Sequence, residues 1–238
     1  MPTRLPSLRR PPIGFAHRGA RAHAPDNTLE AFRLALRLGA SGLESDVWVT
    51  ADGEAVLDHD GVIRQGLRRR PISSVPRAEL PEHIPTLAEL YAEVGTLIDL
   101  SLDVKDPAAF HRILDAATEA GPGALEHLWL CHPDWRLLAE WRLRCPQVRL
   151  VDSTVLGHMP DGPERRAAEL AEAGIDAVNL HHSEWTGGLV ALFHRFEVLC
   201  FGWDAQHERI LGTLLDCGID AVYSDHVDRM TDALSRAV

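Results

Sequence analysis

Four short polar clusters in the first half of the chain each end or interrupt an apolar run that is typical of a β-strand. The clusters are His17-Arg18-Gly19, Glu44-Ser45-Asp46, His59-Asp60 and Asp103-Val104-Lys105. Imidazoles transfer protons near neutral pH, carboxylates bind metal ions, and guanidinium and ammonium groups hold phosphate oxygens. These side chains together predict metal-assisted chemistry on a phosphate ester.

The spacing within two clusters decides which side chains point the same way. In a strand, residues i and i+2 project to one face, so Glu44 and Asp46 project together, as do Asp103 and Lys105. Neighbouring carboxylates on a buried face are costly unless a cation or a proton neutralises them. We therefore expect one hard divalent cation, Mg²⁺ or Ca²⁺. Without a metal, Glu44 and Asp46 could pair with Arg18 and Lys105, although the three carboxylates, Asp103 included, outnumber the two cations.

Strand-like apolar runs alternate with amphipathic helical stretches from end to end. The predicted strands are 13–16, 42–50, 97–104, 126–131, 148–152, 176–180, 197–203 and 221–224. The predicted helices are 28–38, 86–94, 107–120, 133–143, 163–173, 186–195 and 206–216. This alternation is typical of a parallel sheet with crossover helices. Eight strands predict an α/β fold of the closed (β/α)₈ TIM barrel type, with a doubly wound open sheet as the alternative.

The length of 238 residues suits one such barrel with little decoration. We expect a single domain over residues 1–238, with a small excursion at about 52–85 where the alternation is interrupted. Within it, 56–59 resembles a short return strand and 64–70 is a basic, exposed run. Three segments also repeat a helix end, a glycine and a strand start, namely 38–43, 173–178 and 217–222.

The composition argues against nucleic-acid binding, a disulfide framework and membrane insertion. Thirty-five acidic residues against 24 lysines and arginines give a net charge of −11, which argues against nucleic-acid binding. The four cysteines have no metal-ligand spacing and do not indicate a disulfide framework. We see no secretion signal and no apolar run long enough for stable membrane insertion, so we expect a cytoplasmic protein. The oligomeric state is not predicted.

Several motifs, in order along nearly the whole chain, resemble the glycerophosphodiester phosphodiesterase family. They are Phe15–Ala20, Ala24–Thr28, Gly42–Val47, Asp52-Gly53, His59-Asp60, Ile84–Leu87, Leu102–Lys105 and Gly218–Asp225. The resemblance implies a TIM barrel of the phospholipase C-like phosphodiesterase type. It also implies that a small-molecule glycerophosphodiester is hydrolysed, with a divalent metal, to an alcohol and sn-glycerol 3-phosphate.

Carried over position by position, the resemblance implies a role for each polar side chain. His17 and His59 are the general acid–base pair, and Arg18 and Lys105 contact the phosphate. The metal ligands are Glu44, Asp46 and Asp103. Asp103 stands where the family usually has glutamate, and the segment 201–204 departs from the family pattern.

Aromatic residues at later strand ends are candidates for the wall of the site. Trp203 ends the seventh predicted strand, and we assign it to the pocket wall. His181 and His182 follow the sixth strand, and because adjacent strand residues point apart, at most one ring is expected to face the pocket.

Two alternative functions are compatible with the same residues. A phospholipase D-type enzyme acting on lysophospholipids or sphingomyelin uses a similar barrel and histidine pair, but needs an apolar groove for an acyl chain. A barrel that binds glycerophosphodiesters without turnover is the non-enzymatic alternative.

Overall fold

The protein is described here from a computed structural model that covers residues 4–65 and 68–236. The strands are Ile13–Ala16 (β1), Gly42–Val49 (β2), Ala55–Leu57 (β3), Val62–Gln65 (β4), Arg68–Pro71 (β5), Asp99–Val104 (β6), Leu128–His132 (β7), Arg149–Ser153 (β8), Ala177–His181 (β9), Leu199–Trp203 (β10) and Ala221–Ser224 (β11). The α-helices are Leu29–Arg37 (α1), Leu87–Val94 (α2), Ala109–Ala120 (α3), Trp135–Arg144 (α4), Pro163–Glu172 (α5), Gly187–His194 (α6), Glu208–Asp216 (α7) and Val227–Ser235 (α8).

Eight parallel strands close into a barrel. Their order is β1-β11-β10-β9-β8-β7-β6-β2, and pairing between β1 and β2 completes the circle. The predicted TIM barrel is therefore confirmed and the open sheet is excluded. All eight predicted barrel strands and seven predicted helices overlap observed elements, whereas α8 lies outside every predicted helix.

The excursion after β2 begins with a turn that reverses the chain. Strand β3 pairs antiparallel with β2, and β4 pairs antiparallel with β5. Val56, Ile63 and Ile72 lie in a small apolar cluster of their own, against which Trp48 packs. The return strand ends at Leu57, so His59, predicted to be its last residue, lies in the turn that follows.

The barrel interior and the helical layer form two separate apolar clusters. Aromatic side chains fill the interior, where the Phe15 and Tyr223 rings stack with centroids 4.9 Å apart. Gly42 allows this packing, because a Cβ atom there would lie 2.6 Å from the Phe15 ring. The larger cluster lies between the strands and helices. Its burial supplies the main driving force that holds the helices on the barrel.

Residues 4–12, which we call the N-terminal strap, run along the end of the barrel where the strands begin. The Leu5 amide donates to the carbonyl oxygen of Asp216 at 3.0 Å, and Arg9 forms an ion pair with Asp99 at 2.9 Å. The buried carboxylate of Asp220 accepts hydrogen bonds from Ser7 Oγ and two strap amides. The strap is therefore tied to the barrel by polar contacts at both β6 and β11. Among the described residues, no helix is long and apolar enough to cross a membrane.

Candidate active site

A cavity of about 580 Å³ opens at the carboxyl ends of the barrel strands. Seven of the eight side chains that the sequence assigns to the site line it, namely His17, Arg18, Glu44, Asp46, Asp103, Lys105 and Trp203. The eighth, His59, is not among the lining residues. Because all parallel strands of a barrel end on the same face, clusters far apart in sequence meet there.

His17 follows β1 and is oriented by a residue from the last strand. Its amide donates to the Ser224 carbonyl at 3.0 Å, and its Nδ1 lies 2.6 Å from Asp225 Oδ1. The other ring nitrogen, Nε2, lies 3.8 Å from Glu44 Oε2. Burial lowers the pKa of His17, but the negative charges of Glu44 and Asp225 outweigh burial and raise the pKa above 6.5 overall. The ring is therefore fixed, with Nε2 as the nitrogen left for chemistry.

Sequence reasoning gave Asp225 no role, although this residue ends the last motif of the family resemblance. Strands β1 and β11 pair in register with Ala16 opposite Ser224, so the next residue of each strand lies beside the other. That neighbourhood follows from closure of the barrel. Since the last strand of an eight-stranded barrel lies beside the first, the sequence signal for Asp225 is its position directly after the last predicted strand.

Arg18 adopts a left-handed backbone conformation, with φ at 53°. Its amide donates to Glu44 Oε2 at 2.9 Å, and its Nε lies 3.2 Å from Asp46 Oδ2. This Nε is buried and within ion-pair distance of Asp46, but it makes no hydrogen bond of acceptable angle. A non-glycine residue keeps this backbone conformation only where surrounding contacts hold it in place. Here the contacts with Glu44 and Asp46 hold Arg18.

Lys105 lies between two of the three predicted metal ligands. Its Nζ is 3.1 Å from Asp46 Oδ1 and also contacts Asp103 Oδ2, and β2 and β6 pair with Asp46 opposite Asp103. Burial lowers the pKa of Lys105, but Asp103 and Asp46 outweigh burial and raise the pKa overall. Of the two acids for which the sequence suggested pairing without metal, Asp46 is paired with both Arg18 and Lys105, and Lys105 also contacts Asp103.

Glu44 is the carboxylate that these cations leave poorly neutralised. It is 6% exposed. Burial raises its pKa to about 7, and the negative charges of Asp46 and Asp103 add to that rise against the opposing effect of His17. A nearby cation would stabilise the charged form of this buried carboxyl group. Glu44, Asp46 and Asp103 supply the oxygen donors that a hard divalent ion prefers. Their ligand atoms do not all lie within 4.8 Å of one another in this structure, where Lys105 lies between Asp46 and Asp103.

His59 lies at the rim beside this acidic cluster and outside the cavity lining. The Asp58 amide donates to the Asp46 carbonyl at 3.1 Å, which attaches the turn to the end of β2. The His59 side chain is 45% exposed, and its Nδ1 lies 2.8 Å from Asp60 Oδ1. Asp60 thus contacts the imidazole, while Asp58 accepts the Gly61 amide and closes the turn.

The opposite side of the mouth carries an aromatic and histidine-rich rim. Trp203 lines the cavity and is 40% exposed, and its ring centroid lies 4.6 Å from that of His181. The His181 and His182 rings lie 4.3 Å apart, so these neighbours do not point away from each other, and neither of them is among the residues that line the cavity. The chain turns into a 3₁₀-helix at His182, which breaks the alternation of a strand. Burial lowers the pKa of His182, and the neighbouring His181 lowers it further.

Comparisons with known proteins identify the family. A family model described as the glycerophosphoryl diester phosphodiesterase family matches residues 17–109. A glycerophosphodiester phosphodiesterase from Bacillus altitudinis is 50% identical over 250 residues, covering 90% of this chain and 95% of that protein. One from Caldanaerobacter subterraneus is 48% identical over 49 residues, so the aligned part is 21% of this chain and only 20% of that relative.

The fold has close counterparts among solved structures. A phosphodiesterase from Oleispira antarctica, in complex with the product sn-glycerol-3-phosphate, has a TM-score of 0.82 and 22% identity. The match covers 94% of this chain and 97% of that structure. At this identity the match supports the barrel fold, while the Bacillus altitudinis relative carries the assignment by sequence. The chain belongs to the glycerophosphodiester phosphodiesterase family.

Proposed function

We propose that this chain hydrolyses glycerophosphodiesters to an alcohol and sn-glycerol 3-phosphate in the cavity at the strand ends. The observation that carries the proposal is the meeting of His17, Arg18 and Lys105 with three carboxylates in one cavity of about 580 Å³. The product named for the Oleispira antarctica neighbour supports the same chemistry. A small diester of glycerol and an alcohol suits a cavity of this volume.

Glu44, Asp46 and Asp103 would hold one divalent cation, Mg²⁺ or Ca²⁺. When bound, such a cation supplies positive charge to the phosphoryl oxygens and to a nearby hydroxyl group. Lys105, which contacts Asp46 and Asp103 in this structure, and Arg18 supply further positive charge at the same place. These two groups stabilise the negative charge that develops on the phosphoryl oxygens.

His17 and His59 would move the protons. The attacking hydroxyl, either the glycerol 2-hydroxyl or water, gives its proton to one imidazole as its oxygen bonds to phosphorus. The second imidazole donates a proton to the oxygen of the departing alcohol as the P–O bond breaks. Attack by water gives sn-glycerol 3-phosphate directly. Attack by the glycerol 2-hydroxyl gives a cyclic phosphate, which a water molecule must then open with the proton transfers reversed. Asp225 fixes the His17 ring, so its Nε2 is the nitrogen presented for transfer. His59 would act from the rim, where its exposed ring can approach a bound ester.

The test measures sn-glycerol 3-phosphate released from glycerophosphocholine and glycerophosphoethanolamine. We expect His17→Ala to lose about 10²–10⁴-fold in turnover while its circular dichroism stays unchanged. His83→Ala is the matched control, because His83 is exposed and does not line the cavity. Full activity of His17→Ala would refute the acid–base assignment. The same assay on His59→Ala tests the rim histidine separately.

Chelation tests the cation. EDTA should abolish activity, and added Mg²⁺ or Ca²⁺ should restore it, with the more effective ion identifying the metal. Activity that persists in EDTA would contradict the metal role of Glu44, Asp46 and Asp103.

Release of choline from lysophosphatidylcholine but not from glycerophosphocholine would favour the phospholipase D-type alternative. Tight binding of glycerophosphocholine without turnover would favour the non-enzymatic alternative. A cytoplasmic location is part of the same proposal and is tested by cell fractionation.

A further inference from the structure

A second cluster of potential metal ligands lies at the mouth of the cavity, across from the acidic group. His181 ends β9, His182 follows it, and Asp204 comes directly after β10. One ligand atom from each lies within 4.8 Å of the others, and His181 Nε2 is 3.4 Å from Asp204 Oδ2. Two imidazoles and a carboxylate at this separation match three corners of a tetrahedral metal site.

Neighbouring polar groups hold two of these ligands in place. Ser183 Oγ lies 2.7 Å from His181 Nδ1, so it can accept the Nδ1 proton and leave the Nε2 lone pair for a metal. In the other tautomer the Ser183 amide donates to Nδ1 at 3.3 Å, so metal binding at Nε2 would exchange this longer hydrogen bond for the one to Ser183 Oγ. Gln206 donates a hydrogen bond to Asp204 Oδ1 at 3.1 Å, and Asp204 Oδ2 is the oxygen that faces His181. Support of this kind, from groups behind the ligands, is what metal sites use to fix their geometry.

Two other clusters in the described part of the chain have comparable ligands but weaker cases. His194, Cys200 and Asp220 form one, yet both Asp220 oxygens already accept hydrogen bonds, so a metal would have to displace them. The other comprises His23, His226 and Asp228. Its two imidazoles lie 6.3 Å apart between centroids, against 4.3 Å for His181 and His182.

We propose that His181, His182 and Asp204 bind one divalent transition-metal ion of the Zn²⁺ and Ni²⁺ class. Two imidazole donors favour such ions over Mg²⁺ and Ca²⁺, which prefer all-oxygen sites. The site is therefore chemically distinct from the acidic group on the far wall. Asp204 and its neighbour Trp203 line the cavity whereas His181 and His182 do not, so a metal held here lies at the edge of the cavity.

Trp203 provides a local reporter of binding, since its ring lies 4.6 Å from His181. We would titrate the purified protein with Ni²⁺, which quenches indole emission on close approach, in millimolar Mg²⁺ to saturate the all-oxygen site. We expect a saturable loss of emission that is absent in Trp203→Phe. Zn²⁺, which does not quench, should restore the emission by competition.

Ligand variants decide where the metal binds. His182→Ala and Asp204→Asn should each raise the Ni²⁺ dissociation constant at least about tenfold. Asparagine tolerates the left-handed backbone that Asp204 adopts, with φ at 61°, so this variant should keep the loop. His23→Ala removes a ligand from the other histidine cluster and should leave the Trp203 signal unchanged. Equal affinity in wild type, His182→Ala and Asp204→Asn, or quenching that does not depend on Trp203, would overturn the proposal.

Discussion

The substitution Asp220→Asn tests how the N-terminal strap is attached to the barrel. Asp220 is fully buried just before β11, and both of its oxygens accept hydrogen bonds. The strap donates to Oδ1 from Ser7 Oγ at 2.7 Å, Leu8 N at 2.7 Å and Arg9 N at 3.0 Å. On the other side, His194 Nε2 and the Cys200 amide each lie 2.7 Å from Oδ2. One carboxylate thus joins three segments of the chain.

The expected loss in the free energy of unfolding depends on which oxygen of Asp220 the amide nitrogen of asparagine replaces. The Oδ2 position is the less costly one, because His194 can change tautomer and accept a hydrogen bond from the new amide group. The Cys200 amide then has no acceptor in a buried site, which costs about 1–3 kcal/mol. The bonds that remain lose the help of a full negative charge, which removes a further kilocalorie or two. We therefore expect the free energy of unfolding to fall by about 2–5 kcal/mol.

Urea unfolding followed by circular dichroism measures this difference. Asp216→Asn is the matched control, because it removes one negative charge at the same end of the barrel from an exposed side chain. Its free energy of unfolding should change by no more than about 0.5 kcal/mol. If Asp220→Asn costs less than about 1 kcal/mol, Asp220 does not hold the strap in the way described.

The effect should also depend on pH. Burial raises the pKa of Asp220, but the hydrogen bonds from His194, Cys200 and Arg9 outweigh burial and lower the pKa below 3.8 overall. An acid with a lowered pKa in the folded state stabilises the protein fully above its unfolded pKa. That stabilisation is lost as the pH falls through the folded value. The difference between wild type and Asp220→Asn should therefore narrow as the pH falls below about 4.

Three further substitutions test other contacts. Asp225→Asn weakens the charge-assisted hydrogen bond that orients His17, so the kcat of sn-glycerol 3-phosphate release should fall about 10- to 100-fold with little change in KM. Gly61→Ala places a Cβ atom 2.4 Å from the Trp48 ring at a residue with φ of 64°, and should lower the urea midpoint through a loss of about 1–3 kcal/mol. Thr86→Ala removes the capping box of α2 and should cost about 1 kcal/mol in the same experiment.

The barrel, and the position of most assigned site residues at one cavity, were predictable because both depend on local patterns. The spacing of Glu44 and Asp46, and of Asp103 and Lys105, fixed a shared face within each strand. Parallel strands then placed these faces at one end of the fold. Placing His59 was harder, because its segment leaves the barrel through a hairpin-like turn and no strand periodicity governs where its side chain points.

Contacts between the two ends of the sequence were not predictable from local patterns. Asp225 reaches His17 only because the last strand closes against the first. The strap has no periodicity that would indicate its path, and its bonds to Asp220 span more than 200 residues. The converging rings of His181 and His182 depend on a 3₁₀ turn that begins one residue after the strand ends. Each of these features requires the closed barrel, or the exact end of an element, to be known first.

The repeated glycine loops of the sequence have a common structural role at the start of the barrel strands. In each, a glycine with positive φ ends the helix, and the side chain two residues later accepts a backbone amide of the preceding barrel strand. Ser41 accepts from Gly14 at 2.9 Å, Asp176 from Leu150 at 2.8 Å, and Asp220 from Cys200 at 2.7 Å. The acceptor residue directly precedes β2, β9 and β11, and the donor lies in the neighbouring strand β1, β8 or β10.

Whether the acceptor residue is serine or aspartate matches the number of hydrogen-bond donors around it. Asp176 also pairs with Arg142 and Arg149, and Asp220 also holds His194 and the strap, so each needs a full carboxylate. Ser41 accepts the Gly14 amide through a single hydroxyl oxygen, which is sufficient for one donor. The repeat therefore reflects one requirement of a closed barrel. Staggered strands leave amides without partners at their starts, and a side chain in the adjacent loop must accept them.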